Sequence, residues 1–424
     1  MQVTLPYGQE TISFQVPDQS FLGLLDPPEV EIASDPAALI REAIRNPIGT
    51  ETLDRIITPG QKVAVIIDDG SRPTPISTIL PVLLSELDAI GVPNENILII
   101  AALGSHRYMT EQELRDRVGA EIYENYRVIN SEFRDPNRLV YVGKAPDGVD
   151  IYATKEVMEA DIRIAVGNIV PHPVMGWSGG GKMLYPGVAG EKTVAYFHLK
   201  GSLIDENMFG TEKFPIRNMM EQWVDTIGLH FIVNTVLTSS GALYRVVAGH
   251  YIDAHRAGVQ HAKAAQGCAV RERSHVIVVS GHPADQDFWQ SPKGMYAAEP
   301  ALCGERGTII LVSPNYEGLG PHKELPEYMM RTDGDELVLR AIRGEDIGAD
   351  PLAVAVGNNM SKLRRRHQLV VVSDGVTPEE MAACGCKHYP KSAIQQAIDD
   401  AMAQYPDCKI SAMSNGAESF LYRI

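Results

Sequence analysis

The sequence predicts an α/β protein of two units, each a parallel or mixed sheet flanked by helices, with the functional site in the cleft between them. Three observations predict it. Short β-branched and aliphatic runs alternate with longer helical stretches along most of the chain. Several of those runs empty into loops carrying glycine, proline, histidine or charge, and ligands collect at the carboxyl ends of strands in open α/β sheets. The 424 residues are enough for two cores. A short polar segment over 267–273 divides the chain into residues 1–268 and 269–424.

The elements follow in order. Residues 1–17 alternate around Tyr7-Gly8-Gln9, which predicts a hairpin. Asp35-Pro36 caps and starts a helix reaching Ile44. Residues 62–67 predict a buried strand, then the loop from Asp68 to Pro75, then helix as far as Gly91. Residues 97–102 predict the next strand, ending in Gly104-Ser105-His106-Arg107. Thr110 with Glu113 three residues on predicts a capping box. Residues 139–152 predict a hairpin around Pro146-Asp147-Gly148. Residues 162–166 are a strand, and a helix carries Lys192 to His198. Residues 214–266 hold further helix and two strands, 230–237 and 243–248. Beyond the divide, strands at 276–280, 308–312 and 369–373 alternate with helix.

Composition excludes some classes of partner. A formal net charge of −16 argues against a polyanion, so no nucleic acid is expected. The basic run at 362–366 reads as a solvated helix end. The N-terminus lacks a charged and then apolar signal segment, and no apolar stretch approaches membrane length. A cytoplasmic protein with no membrane contact is the expectation. Five cysteines, all in the second half, do not look like a disulfide framework. Cys384-Gly385-Cys386 with His388 nearby could hold a soft metal, but the spacing is not the usual zinc one, and buried free thiols are expected there.

The chemistry centres on residues 166–182, V-G-N-I-V-P-H-P-V-M-G-W-S-G-G-G-K. Glycines let a backbone approach a ligand and turn its N–H groups towards anionic oxygens. Gly176 to Lys182 fits the phosphate-loop spacing, but Met183 stands where that motif needs a hydroxyl for magnesium. A phosphate-bearing ligand is predicted, and an ordinary nucleotide triphosphatase is not. Asp69 and Arg72 follow one strand, His106 and Arg107 a second, and His172 and Lys182 a third. Asp287, Trp289, Gln290 and Lys293 follow a strand of the second unit. Arg72 suits a bidentate carboxylate. The prolines on both sides of His172 restrict its loop and aim the ring.

Taken together, these residues resemble the lactate racemase family. The resemblance is carried by D-D-G-S-R-P-T-P at 68–75, G-S-H-R-Y-M-T at 104–110, P-H-P-V-M-G-W-S-G-G-G-K at 171–182, Y-F-H at 196–198 and, more loosely, D-F-W-Q-S-P-K at 287–293. It implies a racemase or epimerase of 2-hydroxy acids that uses a nickel-pincer nucleotide, a pyridinium mononucleotide holding nickel between two sulfurs and a ring carbon. By that resemblance Lys182 would tether the cofactor and His198 would ligate the nickel. Ser178, Gly179, Gly180 and Gly181, with Asp69, would hold its phosphate and ribose. His106 and His172 would be the acid–base pair. Arg72 and Lys293 would hold the substrate carboxylate beside Gln290 and Trp289. Residues 1–268 would then form the cofactor-binding unit, and 269–424 would complete the substrate site. Proteins that make the cofactor would be its partners. Gly181 stands where some members carry arginine, and Trp177 and Trp289 where smaller aromatics are common. The family also includes racemases and epimerases of other 2-hydroxy acids.

Inverting a 2-hydroxy acid by proton loss leaves a poorly stabilised carbanion. Loss of hydride leaves a 2-keto acid, which can be reduced again on either face. Each enantiomer needs a base for its hydroxyl proton, and histidine is suited to giving and taking near neutrality. A nicotinamide-dependent 2-hydroxy acid dehydrogenase shares this logic, but the chain has no G-x-G-x-x-G between strand and helix. A non-catalytic nucleotide-binding protein leaves His106, His172 and His198 without a role.

Overall fold

The computed structural model describes residues 1–424 apart from Ser105, Pro146, Asp147, Phe214 and Glu305. Two six-stranded sheets carry the chain. In the first, the strands run in the order Leu243–Gly249, Phe231–Leu237, Ile162–Asn168, Val63–Asp68, Ile97–Ala102 and Arg127–Asn130. All neighbours are parallel except Leu243–Gly249, which returns antiparallel to Phe231–Leu237. The second sheet is parallel throughout, in the order Lys387–Tyr389, Gln368–Val372, Thr308–Val312, Val276–Ser280, Ile410–Met413 and Phe21–Leu24. Helices cover both faces, so every residue of Val63–Asp68, Ile162–Asn168 and Thr308–Val312 is buried. That is why these strands read as unbroken apolar runs instead of alternating ones.

Local signals hold. Gln2–Tyr7 and Glu10–Gln15 form the first hairpin. Asp35 caps the helix Pro36–Arg45 by accepting from Ala38 N–H. The Thr110–Glu113 capping box starts Glu111–Val118. Strand Leu139–Lys144 pairs with Asp150–Thr154. Pro146 and Asp147 of the turn expected there lie outside the described residues. Cys384, Cys386 and Cys408 are buried, and all five thiols are free.

Long-range pairings differ from expectation. Phe21–Leu24 lies beside Ile410–Met413, and the first hairpin packs its apolar face on Val276, Val278 and Ile310. A division at 268 and 269 places these first 24 residues with the other sheet. In the structure the start of the chain closes the edge of the second sheet, because its apolar face is complementary to that sheet and not to the nearer one. The polar segment expected at 267–273 begins as a strand, Gly267–Val270, paired with Phe420–Arg423. No helix among the described residues is long and apolar enough to cross a membrane.

Candidate active site

Loops leaving four strands of the two sheets meet in one cavity. Its empty volume is about 1130 Å³, part of it open to solvent. Val63–Asp68 delivers Asp69 and Arg72, Ile97–Ala102 delivers His106, and Ile162–Asn168 delivers His172, Ser178, Gly179 and Lys182. Val276–Ser280 delivers Trp289, Gln290 and Lys293 from the second sheet. His198 enters from the helix Glu191–Ser202. Of the residues singled out in the sequence, Arg107 and Asp287 line a neighbouring pocket instead, and Gly180 and Gly181 do not line the cavity. Both glycines face the interior, where a Cβ on Gly180 would stand 3.0 Å from the His255 ring and one on Gly181 would stand 2.9 Å from Val224. Gly180 also has φ +60°, which an L side chain rarely adopts. These two glycines let the loop lie flat on the core, and Ser178 and Gly179 present it to the ligand.

The two histidines differ in proton placement. His106 Nδ1–H donates to Asp69 Oδ2 at 2.5 Å, and Asp69 Oδ1 is held by the Ser71 hydroxyl at 2.6 Å. Burial opposes charge on Asp69, but His106, Ser71 and Arg72 together hold its carboxyl well below the usual carboxylate range. His106 Nε2 is therefore the bare nitrogen. It accepts from the Gln290 amide at 3.0 Å, and Gln290 Oε1 in turn accepts from Lys293. His172 is the reverse. Its Nδ1 accepts the backbone N–H groups of Val174 and Met175, each at 3.2 Å. The neutral ring must carry its proton on Nε2. Burial first, then the charges of Lys182 and Arg72, hold its pKa well below the ordinary histidine value.

Three cations converge here. Burial and then Arg72 push the Lys293 ammonium well below the usual lysine range. Burial, Arg72 and Arg217 bring Lys182 down to about 7. Such mutual penalties suit a site built for anions, which relieve them on binding. The Glu418 carboxyl, which feels Arg72 and Lys293, is pushed up to about 7 by burial.

Supporting residues were not singled out from sequence. Arg117, on Glu111–Val118, donates to the Asp68 carboxylate, the Asp68 carbonyl at 3.2 Å and the Arg72 carbonyl at 2.9 Å, which fixes the loop bearing Asp69 and Arg72. Beneath the glycine loop, Arg217 donates to the Trp177 carbonyl and His255 Nε2–H donates to the Ser178 carbonyl at 2.8 Å. With that carbonyl turned down, the trans peptide turns Gly179 N–H the opposite way. Trp177 itself is core, edge-on to Phe420 at 5.1 Å. A buried arginine was the one available signal for Arg217, and burial is not visible in a linear pattern.

Residues 7–210 match the lactate racemase N-terminal domain, and residues 270–420 match the lactate racemase C-terminal domain. The chain belongs to the lactate racemase family. It is an isomerase by that membership. It is 30% identical over 325 residues to the lactate racemase of Thermoanaerobacterium thermosaccharolyticum, covering 75% of each chain. It is 29% identical over 383 residues to that of Lactiplantibacillus plantarum, covering 89% of each. The lactate racemase apoprotein of Thermoanaerobacterium thermosaccharolyticum superposes with a TM-score of 0.87 at 26% identity, over 100% of both chains. A Thermotoga maritima protein shares the fold with a TM-score of 0.73 at 18% identity, over 93% of this chain and 100% of its own.

The residues present in this lactate racemase family member fit a metal-bearing nucleotide. His198 Nδ1–H donates to the Val194 carbonyl at 2.8 Å, so its Nε2 lone pair is free to ligate. Burial pushes its pKa down to about 4, which keeps that lone pair available at neutral pH. Among the described residues no group of three His, Cys, Asp or Glu is arranged to hold a metal. A metal held by His198 would bring its other ligands with it.

Lys182 also gives a pH signature. With its folded value near 7, the unfolded chain carries a proton on this lysine that the folded chain lacks, between about pH 7 and the ordinary lysine range. Raising pH through that window favours the folded state, and the penalty is complete below about 7. The apoprotein carrying Lys182→Met is therefore expected to melt above wild type at pH 7, with the gap closing towards pH 10. Thermal denaturation across that range checks it, and a gap independent of pH would show the lysine is not strained.

Proposed function

We propose that this chain inverts 2-hydroxy acids, lactate or a related one, by moving the hydrogen of carbon 2 as hydride through a 2-keto acid. One observation carries the reading. Two imidazoles of opposite proton readiness face a cavity where Arg72, Lys182 and Lys293 converge. A dehydrogenase with a single acid–base group has no need of the second.

The cofactor implied is a nickel-pincer nucleotide, which when bound supplies an electron-poor carbon able to take and return a hydride. Lys182 would tether it, Ser178 and Gly179 with Asp69 would hold its nucleotide part, and His198 would ligate the nickel. Proteins that make the cofactor are then needed for loading.

The chain's own residues do the rest. Arg72 and Lys293 grip the substrate carboxylate and keep it fixed while the planar ketone re-presents its other face. Trp289 walls the substrate, and Gln290 hands its hydrogen bond from His106 to the ligand. His106 Nε2 takes the hydroxyl proton of the enantiomer that faces it, and Asp69 stabilises the imidazolium formed. His172 offers its Nε2 proton on the opposite side. One side ready to take and the other ready to give is the state that a two-sided proton exchange starts from.

The test uses protein made beside the cofactor-making enzymes and a single enantiomer of lactate deuterated at carbon 2. Inversion with the label kept at carbon 2 is expected. Inversion with the label exchanged into water would sink hydride transfer.

A further inference from the structure

Behind Trp289 lies a second imidazole–carboxylate pair that the reaction above does not use. His322 Nδ1–H donates to Asp350 Oδ2 at 2.5 Å, the same arrangement that readies His106. The ring packs on the Trp289 indole with centroids 4.2 Å apart at 37°. His322 is 8% exposed, and its Nε2 is buried without a hydrogen-bond partner among the described residues. A buried polar atom left bare calls for an explanation, because water or a ligand ordinarily satisfies it. Trp289 itself lines the cavity, so His322 stands directly behind that wall without lining it.

The wall that the second unit adds to the cavity carries more unused polarity. Besides Gln290, Pro292 and Lys293, it is made of Trp289, Tyr296, Val356, Asn359 and Met360. Neither the Tyr296 hydroxyl nor the Asn359 amide has a hydrogen-bond partner among the described residues. Asp350 ties the parts together, since its Oδ1 also accepts from Leu352 N–H at 2.9 Å and so caps the helix Pro351–Arg366 that bears Asn359. A substrate ending in a methyl group needs none of these groups. A chain carrying hydroxyls satisfies them, with its C–H face against the indole and an oxygen reaching His322 past the indole edge, directly or through a water.

We propose that the preferred substrate is a 2-hydroxy acid bearing a further hydroxyl beyond carbon 2, read by His322 together with Tyr296 and Asn359. The proposal rests on the racemase reading and adds the substrate class. Glycerate and 2-hydroxybutyrate form the matched pair for the test, because they differ by a hydroxyl in place of a methyl. Racemisation of each by the cofactor-loaded enzyme is followed by chiral chromatography, with lactate alongside. The expected ratio of kcat/KM, glycerate over 2-hydroxybutyrate, is at least about tenfold, and it falls at least about fivefold in folded His322→Phe, which keeps the aromatic stack and removes the acceptor. If His322→Phe does not fold, Tyr296→Phe and Asn359→Leu are judged by the same criterion. A smaller wild-type ratio, or one that survives the substitutions, overturns the proposal. Should lactate be inverted without any glycerate preference, only this inference fails. Should no 2-hydroxy acid be inverted, the racemase reading fails first.

Discussion

Replacing His106 by alanine is expected to slow racemisation by about 10²–10⁴-fold while the protein stays folded, and His172→Ala is expected to do the same. His106 is partly buried in the cavity wall and is held by Asp69, Ser71 and Gln290, outside the apolar core, so its loss leaves the core intact. What disappears is the bare imidazole nitrogen His106 Nε2, with Asp69 behind it to steady the positive ring. His172 is tied to its own loop through Val174 and Met175 N–H, and alanine there removes the opposing donor. On the proposed mechanism both sides are needed, because each enantiomer presents its hydroxyl to a different one. Turnover followed by circular dichroism at matched nickel content separates this from poor loading. Near-wild-type turnover in both variants would rule out the pairing.

Lys182→Ala is expected to abolish covalent attachment of the cofactor altogether. An amine must be neutral to join a carbonyl carbon, and an ordinary lysine with a pKa near 10.4 is neutral in roughly one molecule in a few thousand at pH 7. Burial and the neighbouring arginines bring Lys182 down to about 7, so about half of it is neutral there. On the proposed tether, the residue is thus prepared for acylation before any ligand arrives. Intact mass of wild type and variant, both produced beside the cofactor-making proteins, reads the outcome directly. A mass increment that persists in Lys182→Ala would place the tether on another residue. Nickel retained without a mass increment in the variant would show that His198 and the loop still hold the nucleotide non-covalently.

Much of the site was legible because its elements announce themselves locally. The apolar runs before Asp69, His106, His172 and Gln290 mark strands, and each of these residues lies on the loop that follows its strand, where a parallel sheet gathers ligands. The prolines around His172 signalled a fixed ring, and the ring is indeed pinned through Nδ1. The glycine run was misleading in one respect. All of it suggested contact with a ligand, yet Gly180 and Gly181 are there for close packing against His255 and Val224. A run of glycines looks the same in both cases, since what differs is the neighbour brought up from elsewhere in the chain.

The sequence by itself determined which residue types stand at the strand ends, where the helices start, and the family to which these motifs are similar. Caps, turns and apolar periods depend on atoms a few residues apart, so they are written in the linear order. Only the tertiary structure decided that Phe21–Leu24 closes the far sheet, and that Gln290 meets His106 from 184 residues away. It also decided which nitrogen of each histidine is bare. Proton placement follows from the partner on the other ring atom, and register follows from the face that is buried; both are properties of what packs together, which no local pattern encodes.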